Sequence, residues 1–238
     1  MQRSKSYSHS SLIEKNMAYD HEEQEQVELL KAWWKKNGNL ITWIAIAGLL
    51  AFAGWTAYNT YQQKQALEAS AMYDEVQRAA SLKDNGKVQA SAAAVVEKFP
   101  VTSYAAMASM TAAKSAFEAG DLKAAKVQLN WVVEKAKSVE LRAIARLRLA
   151  SIALDEKNFD EGYKQLNGEF PKDFEGDVLD HKADLLVAQD KINDARVAYK
   201  SALDKMAEKH AGRQLVQIKL DALGGPLEST SDATPAKK

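Results

Sequence analysis

The residues best suited to chemistry are four polar side chains that lie close together towards the C-terminal end. Asp177, Asp180, His181 and Asp184 fall within about two helical turns, and carboxylates and imidazoles are common metal ligands. A metal site would need these side chains to face inward and to be held by further hydrogen-bonding groups. Acidic residues are mostly exposed to water. We therefore interpret the cluster as a solvated acidic face of one helix.

Catalytic patterns are missing from the rest of the sequence. It contains no GxGxxG, P-loop, HExxH or GxSxG motif. It has no cysteine, which excludes disulfides and thiol chemistry. Its 32 basic and 32 acidic residues cancel, which disfavours a nucleic-acid-binding protein. We expect no enzymatic activity, no cofactor and no metal, which leaves protein binding as the function to look for.

Any binding site in this chain is predicted to be anchored to a membrane. Residues 40–58, LITWIAIAGLLAFAGWTAY, contain no charge and no proline. As a helix they span about 28 Å, close to the roughly 30 Å hydrocarbon core of a bilayer. Aromatic residues that prefer headgroup depth flank both ends: Trp33, Trp34, Trp43, Trp55, Tyr58 and Tyr61. A signal peptide has a shorter apolar core and small residues at its cleavage site, so we predict an uncleaved span.

The distribution of lysines predicts the orientation of the span. Lys31, Lys35 and Lys36 lie in the fifteen residues before it, whereas only Lys64 lies in the fifteen residues after it. Lysine and arginine near a span remain in the cytoplasm. The N-terminus is therefore expected inside and the C-terminal domain outside.

The segments before the span differ in character. Residues 1–26 are serine-rich and then acidic, and we expect them to be disordered, with Met17 as a second possible start. Residues 27–39 form an amphipathic pattern typical of a helix at the inner membrane face, broken at residues 37–39. Within the span, Ala47, Ala51 and Gly54 form a stripe of small residues. The stripe is either a contact face for another membrane helix or a chance feature of an alanine-rich helix.

A repeat begins after the span. Gly86, Gly120, Lys157 and Asp190 lie 34, 37 and 33 residues apart. Small residues precede each by seven positions: Ala79, Ala113, Ala150 and Ala183. Small residues also follow each by five positions: Ser91, Ala125, Gly162 and Ala195. Bulky residues follow each by nine: Val95, Leu129, Leu166 and Tyr199. A period near 34 with this alternation is the tetratricopeptide pattern, because antiparallel helices cross closely only where small side chains meet.

The expected fold is all-α, with one N-terminal transmembrane helix followed by a tetratricopeptide-like solenoid of about four repeats. Ser103 and Ser138 are predicted N-caps, and Pro100 and Pro171 are expected to close the second helices of their repeats. The predicted segments are 1–26, 27–39, 40–58, a helical linker at 59–66, the solenoid at 67–223 and a disordered tail at 224–238.

The last helix of the solenoid, residues 211–223, is predicted to cap it. Leu215, Ile218 and Ala222 are expected to face inward and its polar residues to face water, because a solenoid needs a polar-backed end.

The first helices of the repeats are expected to line a concave groove that binds protein segments. Methionine adapts to varied apolar partners, and acidic residues beside it would select basic chains. The alternative is that these apolar residues only pack between repeats. The candidate groove residues are Tyr73, Val76, Met107, Met110, Lys114, Phe117, Leu147, Leu154, Asp177, Asp180, Asp184 and Val187.

These features resemble one known family. The segments VELLKAWWKKNG at residues 27–38 and FEAGDLKAA at residues 117–125, together with the span and four degenerate repeats, resemble the ancillary SecYEG translocon subunit family. The resemblance implies a single-pass bacterial inner-membrane protein with a periplasmic repeat domain. It also implies association with the translocon, with a membrane-anchored isomerase-like chaperone and with exported client proteins. Residues 1–16 and the tail after Gly225 depart from the pattern, so nothing carries over to them.

Two functions remain open at this point. One is a chaperone adaptor at the translocon. The other is a non-catalytic scaffold for another envelope assembly, such as the division or lipoprotein machinery, using the same repeats.

Overall fold

The computed structural model describes residues 8–225, with side chains described from residue 27 onward. Within that range the chain is helical, with no strand, and the all-α prediction is confirmed. The helices are α1 (Ser8–Ser81), α2 (Asn85–Lys98), α3 (Ser103–Glu118), α4 (Leu122–Lys135), α5 (Val139–Asp155), α6 (Phe159–Leu166), α7 (Glu175–Ala188), α8 (Ile192–Lys205) and α9 (Arg213–Ala222), with a short 3-10 helix (Lys172–Phe174) before α7. The chain forms two compact units that divide after Gln62, within α1.

In the N-terminal unit, α1 includes two stretches that the sequence predicts to be non-helical. Helix covers residues 8–26, expected to be disordered, and residues 37–39, expected to break the helix. Glutamate, glutamine, lysine and leucine favour helix, and a single glycine costs only about 1 kcal/mol. Gly38 is also supported locally: Thr42 Oγ1 donates to its carbonyl at 2.8 Å, and the Trp34 indole covers it. Residues 1–7 of the predicted disordered segment lie outside the described range.

The apolar part of α1 has the length and composition of a membrane-spanning helix, and none of its most apolar window is buried inside the protein. Leu49 and Leu50 are each 69 % exposed, and Phe52 is 63 % exposed. Such exposure is unfavourable in water and favourable in lipid. Added Cβ atoms at Gly48 and Gly54 would meet nothing within 4 Å. The contact face at Ala47, Ala51 and Gly54 stays a prediction.

The C-terminal unit consists of four antiparallel helix pairs followed by α9. The pairs are residues 63–81 of α1 with α2, then α3 with α4, α5 with α6, and α7 with α8. Each pair turns through one residue with positive φ: Lys83, Gly120, Lys157 and Asp190. The turn residue of the first pair is therefore Lys83, three residues before the predicted Gly86. The reason is that Asp84 caps α2 by accepting from the Lys87 amide at 3.0 Å, which places Gly86 inside the helix.

Small residues sit where the helices cross. Ala125, Ala183 and Ala195 are fully buried. At Gly162 in α6, an added Cβ would come within 2.9 Å of Leu185 Cδ2 on α7. Trp131 packs against the hydrophobic clusters of both the first and the second pair, and so joins them.

Two of the predicted helix boundaries differ from those observed. Thr102, not Ser103, caps α3 by accepting from the Ala105 amide at 3.4 Å. The second helix of the third pair ends at Leu166, well before Pro171, so the proline does not close it. The predicted cap at Ser138 is present and accepts from the Leu141 amide at 3.1 Å.

The capping helix forms where expected but in a different rotation. Val216 and Leu220 are buried, whereas Leu215 is 56 % and Ile218 57 % exposed, so the predicted inward face is wrong. Polar contacts fix the rotation: Arg213 donates to the carbonyls of Leu203 and Met206 on the α8 side. Residues 226–238 of the predicted disordered tail lie outside the described range.

A bulky residue at a helix crossing should destabilise the repeats. Ala183→Phe inserts a large ring into a fully buried site and should lower the free energy of unfolding by about 1–3 kcal/mol. Ala90→Phe, on the exposed side of α2, is the matched control and should change it by less than about 0.5 kcal/mol. Thermal denaturation followed by circular dichroism measures both. Equal melting curves for the two variants would show that Ala183 is not at a tight crossing.

Candidate protein-binding groove

A groove lies across the first helices of the first three pairs and has a volume of about 750 Å³. Its large apolar side chains come from one residue of α1, two of α3 and two of α5: Tyr73, Met107, Met110, Leu141 and Ile144. The spacing explains the α3 contribution, because Met107, Met110 and Lys114 recur at helical intervals and share one face. This surface is called the groove below.

The wall formed by α1 and α3 is held by aromatic and polar contacts. The rings of Tyr73 and Tyr104 lie 5.9 Å apart between centroids. The Tyr73 hydroxyl lies 3.5 Å from Thr111 Oγ1 and also accepts a hydrogen bond from Gln77. These contacts fix the position of the first helix against the second repeat, so the groove is formed before any ligand arrives.

A second depression of about 380 Å³ adjoins the groove, since Lys114, Glu118 and Arg148 line both. Phe117 lines it and is 46 % exposed, beside Ile152 of α5. A solvent-exposed aromatic ring next to a methionine-lined surface is typical of a protein-binding site.

The charged side chains around the groove are mostly basic. Lys83, Lys114 and Arg148 are cations, and Glu118 is the one acidic residue in the described lining. Lys114 and Glu118 are 3.7 Å apart and both exposed, a weak pair. Lys83 and Arg148 form no ion pair with any residue that the structure describes. Desolvation lowers the pKa of Arg148, yet a guanidinium stays charged at all physiological pH.

One position of the repeat is mostly buried against the neighbouring repeat, although Tyr73 and Met110 at this position also line the groove with part of their side chains. Ten residues before each turn residue lie Tyr73, Met110, Leu147 and Asp180, and each is only 8–9 % exposed. Leu147 packs with Ala150, Leu166 and Leu185, and the partly buried Leu154 packs against the same cluster. Leu147 and Leu154 therefore pack between repeats, as the alternative to a binding role predicts. Val76 is also fully buried in the core of the first pair.

The acidic residues of α7 are bound by the C-terminal end of the domain. Lys219 of α9 donates to Asp180 Oδ1 and to Asp184 Oδ2, each at 2.8 Å. Asp177 lies 3.4 Å from His210 Nε2. These carboxylates form no exposed acidic face, and they lie away from the methionines of the groove. The predicted solvated helix face is wrong for Asp180, which is 8 % exposed.

Burial governs the titration of this cluster. It raises the pKa of Asp180, and the hydrogen bond from Lys219 offsets only part of that effect. Burial alone would lower the pKa of Lys219, but the hydrogen bonds and charges of the two carboxylates outweigh it and raise that pKa. Burial and the hydrogen bond to Asp184 also raise the pKa of Tyr199, so its hydroxyl stays protonated and donates to Asp184 at 2.6 Å.

Sequence reasoning found one half of the groove and missed the other. Met107, Met110, Lys114 and Phe117 lie together as expected. The contribution of α5, through Leu141, Ile144 and Arg148, was not found. A signal was present: Ile144 stands thirteen residues before Lys157, as Met107 stands before Gly120.

Comparison with known proteins places the chain in a family. Residues 31–225 match the family described as tetratricopeptide repeat-like domain. A protein of Neisseria gonorrhoeae named ancillary SecYEG translocon subunit is 30 % identical over 208 residues, which cover 87 % of this chain and 100 % of that protein. The chain belongs to the tetratricopeptide repeat-like family. Its repeats are thus tetratricopeptide-like, as the sequence period predicts.

Two further members of the family carry the same name. The Haemophilus influenzae protein is 29 % identical over 199 residues, covering 81 % of this chain and 97 % of that protein. The Escherichia coli K12 protein is 28 % identical over 204 residues, covering 84 % and 96 % respectively. No solved structure is significantly similar to the chain. The family and the exposed apolar helix together fit a single-pass inner-membrane protein.

Removal of the α9 lysine should destabilise the domain in a pH-dependent way. Lys219→Met leaves Asp180 and Asp184 without their cation, at a cost of about 1–3 kcal/mol near neutral pH. Without that cation, burial raises the pKa of the Asp180 carboxyl further in the folded state. A group with a raised folded-state pKa contributes stability below its unfolded pKa and loses it as pH rises through the folded pKa. The deficit should therefore be small below about pH 3.9, the unfolded pKa of an aspartate, and largest at neutral pH.

Denaturant unfolding across this pH range measures the deficit against the wild-type chain. Lys200→Met is the control, because Lys200 and Asp204 are an exposed pair 3.8 Å apart worth less than about 0.5 kcal/mol. A deficit for Lys219→Met that is the same at all pH values would contradict the assigned role of the carboxylates.

Proposed function

We propose that this protein is a membrane-anchored adaptor of the secretion translocon. Residues 40–58 hold it in the inner membrane, and the repeat domain lies in the periplasm. There its groove binds chaperones and newly exported envelope proteins, including a membrane-anchored isomerase-like chaperone. The chain carries out no catalysis in this account. The proposal is carried by one observation: a groove lined by Met107 and Met110, with Phe117 exposed in the adjoining depression, in a chain whose relatives are named as translocon subunits.

The membrane anchor supports binding because it raises the effective concentration of the groove near the translocon. A groove tethered near the translocon exit meets each emerging chain at high effective concentration, so weak contacts are sufficient. Methionine side chains are flexible and accept apolar partners of different shapes. Met107 is 36 % exposed and Phe117 46 %, so both present apolar surface without any movement of the core.

The partner is tested by purification of the full chain from membranes in mild detergent. Translocon subunits and periplasmic chaperones should co-purify with it. Division or lipoprotein-assembly proteins in their place would contradict the adaptor and favour the scaffold. Ile46→Lys is the control for anchoring, because a lysine at the centre of the span costs about 2.5–3.5 kcal/mol of insertion free energy. Translocon subunits should no longer co-purify with this variant.

The orientation has its own test. Protease added to intact spheroplasts should digest residues 67–223 and leave a small N-terminal fragment, because three lysines precede the span and one follows it. Digestion after lysis should remove both parts. A repeat domain that resists protease until the cells are lysed would reverse the proposed orientation.

The groove is tested by two exposed residues. Met107→Ser combined with Phe117→Ser should lower the yield of exported proteins crosslinked to the chain by about fivefold, since two apolar contacts are lost. Met110 is avoided because it is only 9 % exposed and belongs to the core of the second pair. Val127→Ser with Val197→Ser is the control, because it removes two apolar side chains that are even more exposed from the second helices α4 and α8. Equal losses in the two double variants, with unchanged melting curves, would place client binding outside the groove.

A further inference from the structure

We propose that the groove selects segments in which acidic side chains alternate with apolar ones. This inference rests on the proposed function, and it reverses the preference for basic chains that the sequence alone predicts. The partner is a protein segment whose carboxylates meet the cations of the groove while its apolar side chains meet the methionines.

The first support is the distribution of charge. Three cations, Lys83, Lys114 and Arg148, line the groove from three different elements, and only Glu118 opposes them in the described lining. Glu118 already forms an ion pair with Lys114, with 3.7 Å between Oε1 and Nζ. Lys83 and Arg148 have no ionic partner among the described residues, so their charges are available to a ligand. Complementary charge gives an interface its specificity and its rate of association.

The second support is the position of Arg148. It lines both the groove and the adjoining depression that contains Phe117. A guanidinium binds a carboxylate with two parallel hydrogen bonds, which is more specific than a lysine contact. A ligand carboxylate at Arg148 would therefore place its neighbouring apolar side chains on Phe117 at one side and on Met107 at the other.

The third support is that the aspartates of α7 cannot supply the opposite preference. Asp180 and Asp184 already accept from Lys219, and Asp177 faces His210. A basic client would have to displace Lys219 from two bonds of 2.8 Å. The groove volume of about 750 Å³ is that of a site for a few side chains, which fits a short segment rather than a folded domain.

Fluorescence anisotropy with the full chain in detergent tests the preference. The probes are three labelled peptides with identical leucines, in which the alternating polar positions are all glutamate, all glutamine or all lysine. The glutamate peptide should bind at least about tenfold more tightly than the lysine peptide, and its affinity should fall as salt is raised. Equal binding of the three peptides, or tighter binding of the lysine peptide, would overturn the proposal.

A charge reversal in the groove locates the effect. Arg148→Glu should remove the preference for the glutamate peptide. Lys123→Glu makes the same change in net charge at an exposed site on α4, outside the groove and the adjoining depression, and should leave the preference intact. Arg148 makes no hydrogen bond or ion pair within the described chain, so the variant should fold, as its melting curve will show. The same loss in both variants would show that net charge acts, not the groove, and would overturn the proposal.

The outcome is separable from that of the proposed function. If exported proteins still crosslink to the chain in a way that depends on Met107 and Phe117, while the peptides show no acidic preference, only this inference fails. If the serine variants leave crosslinking unchanged, the groove is not the client site and the proposed function fails with it.

Discussion

The close crossing of antiparallel helices at small side chains is the constraint on which this domain depends. Alanines with no exposed surface at α4, α7 and α8, and a glycine at α6 with Leu185 against it, allow backbones to approach. Each pair alone would leave an apolar face in water, and the next pair covers it. Stacking in this way turns the first helices of successive pairs to one side. The groove is thus a consequence of the crossing geometry. Tyr73 and Met110 both line it and pack in the cores, whereas the more exposed Met107 can vary in chemistry because it lies outside those cores.

The two ends of the stack of helix pairs are formed in different ways. At the N-terminal end, the first helix of the first pair is the last part of the longer helix α1. At the C-terminal end, α9 buries Val216 and Leu220 and brings Lys219 to two carboxylates. The position that holds Tyr73, Met110 and Leu147 in the earlier repeats holds Asp180 in the last, where the next element is α9. A buried carboxylate at that place is tolerated because its cation comes with the cap.

Local and periodic features of this fold were predictable from the sequence, whereas features set by distant partners were not. The repeat period, the apolar span and the cap at Ser138 follow from residue types at short spacing, and each is present. The continuous helix through Gly38 was missed because good helix formers around a glycine outweigh its cost. The rotation of α9 and the pairing of Asp180 depend on Lys219, which is 39 residues away along the chain. The cations of the groove likewise come from three separate elements, so the sequence pattern alone did not bring them together.

The central claim is that client segments lie against the first helices of the repeats while the chain is in its membrane. Incorporation of a photo-crosslinking amino acid at single positions of the full chain in living cells tests it most directly. Adducts with exported proteins should form from Met107 and from Phe117, and few should form from Val127 and Val197, which are more exposed and lie on the second helices. Adducts of equal yield from all four positions, or from Val127 and Val197 alone, would contradict the account.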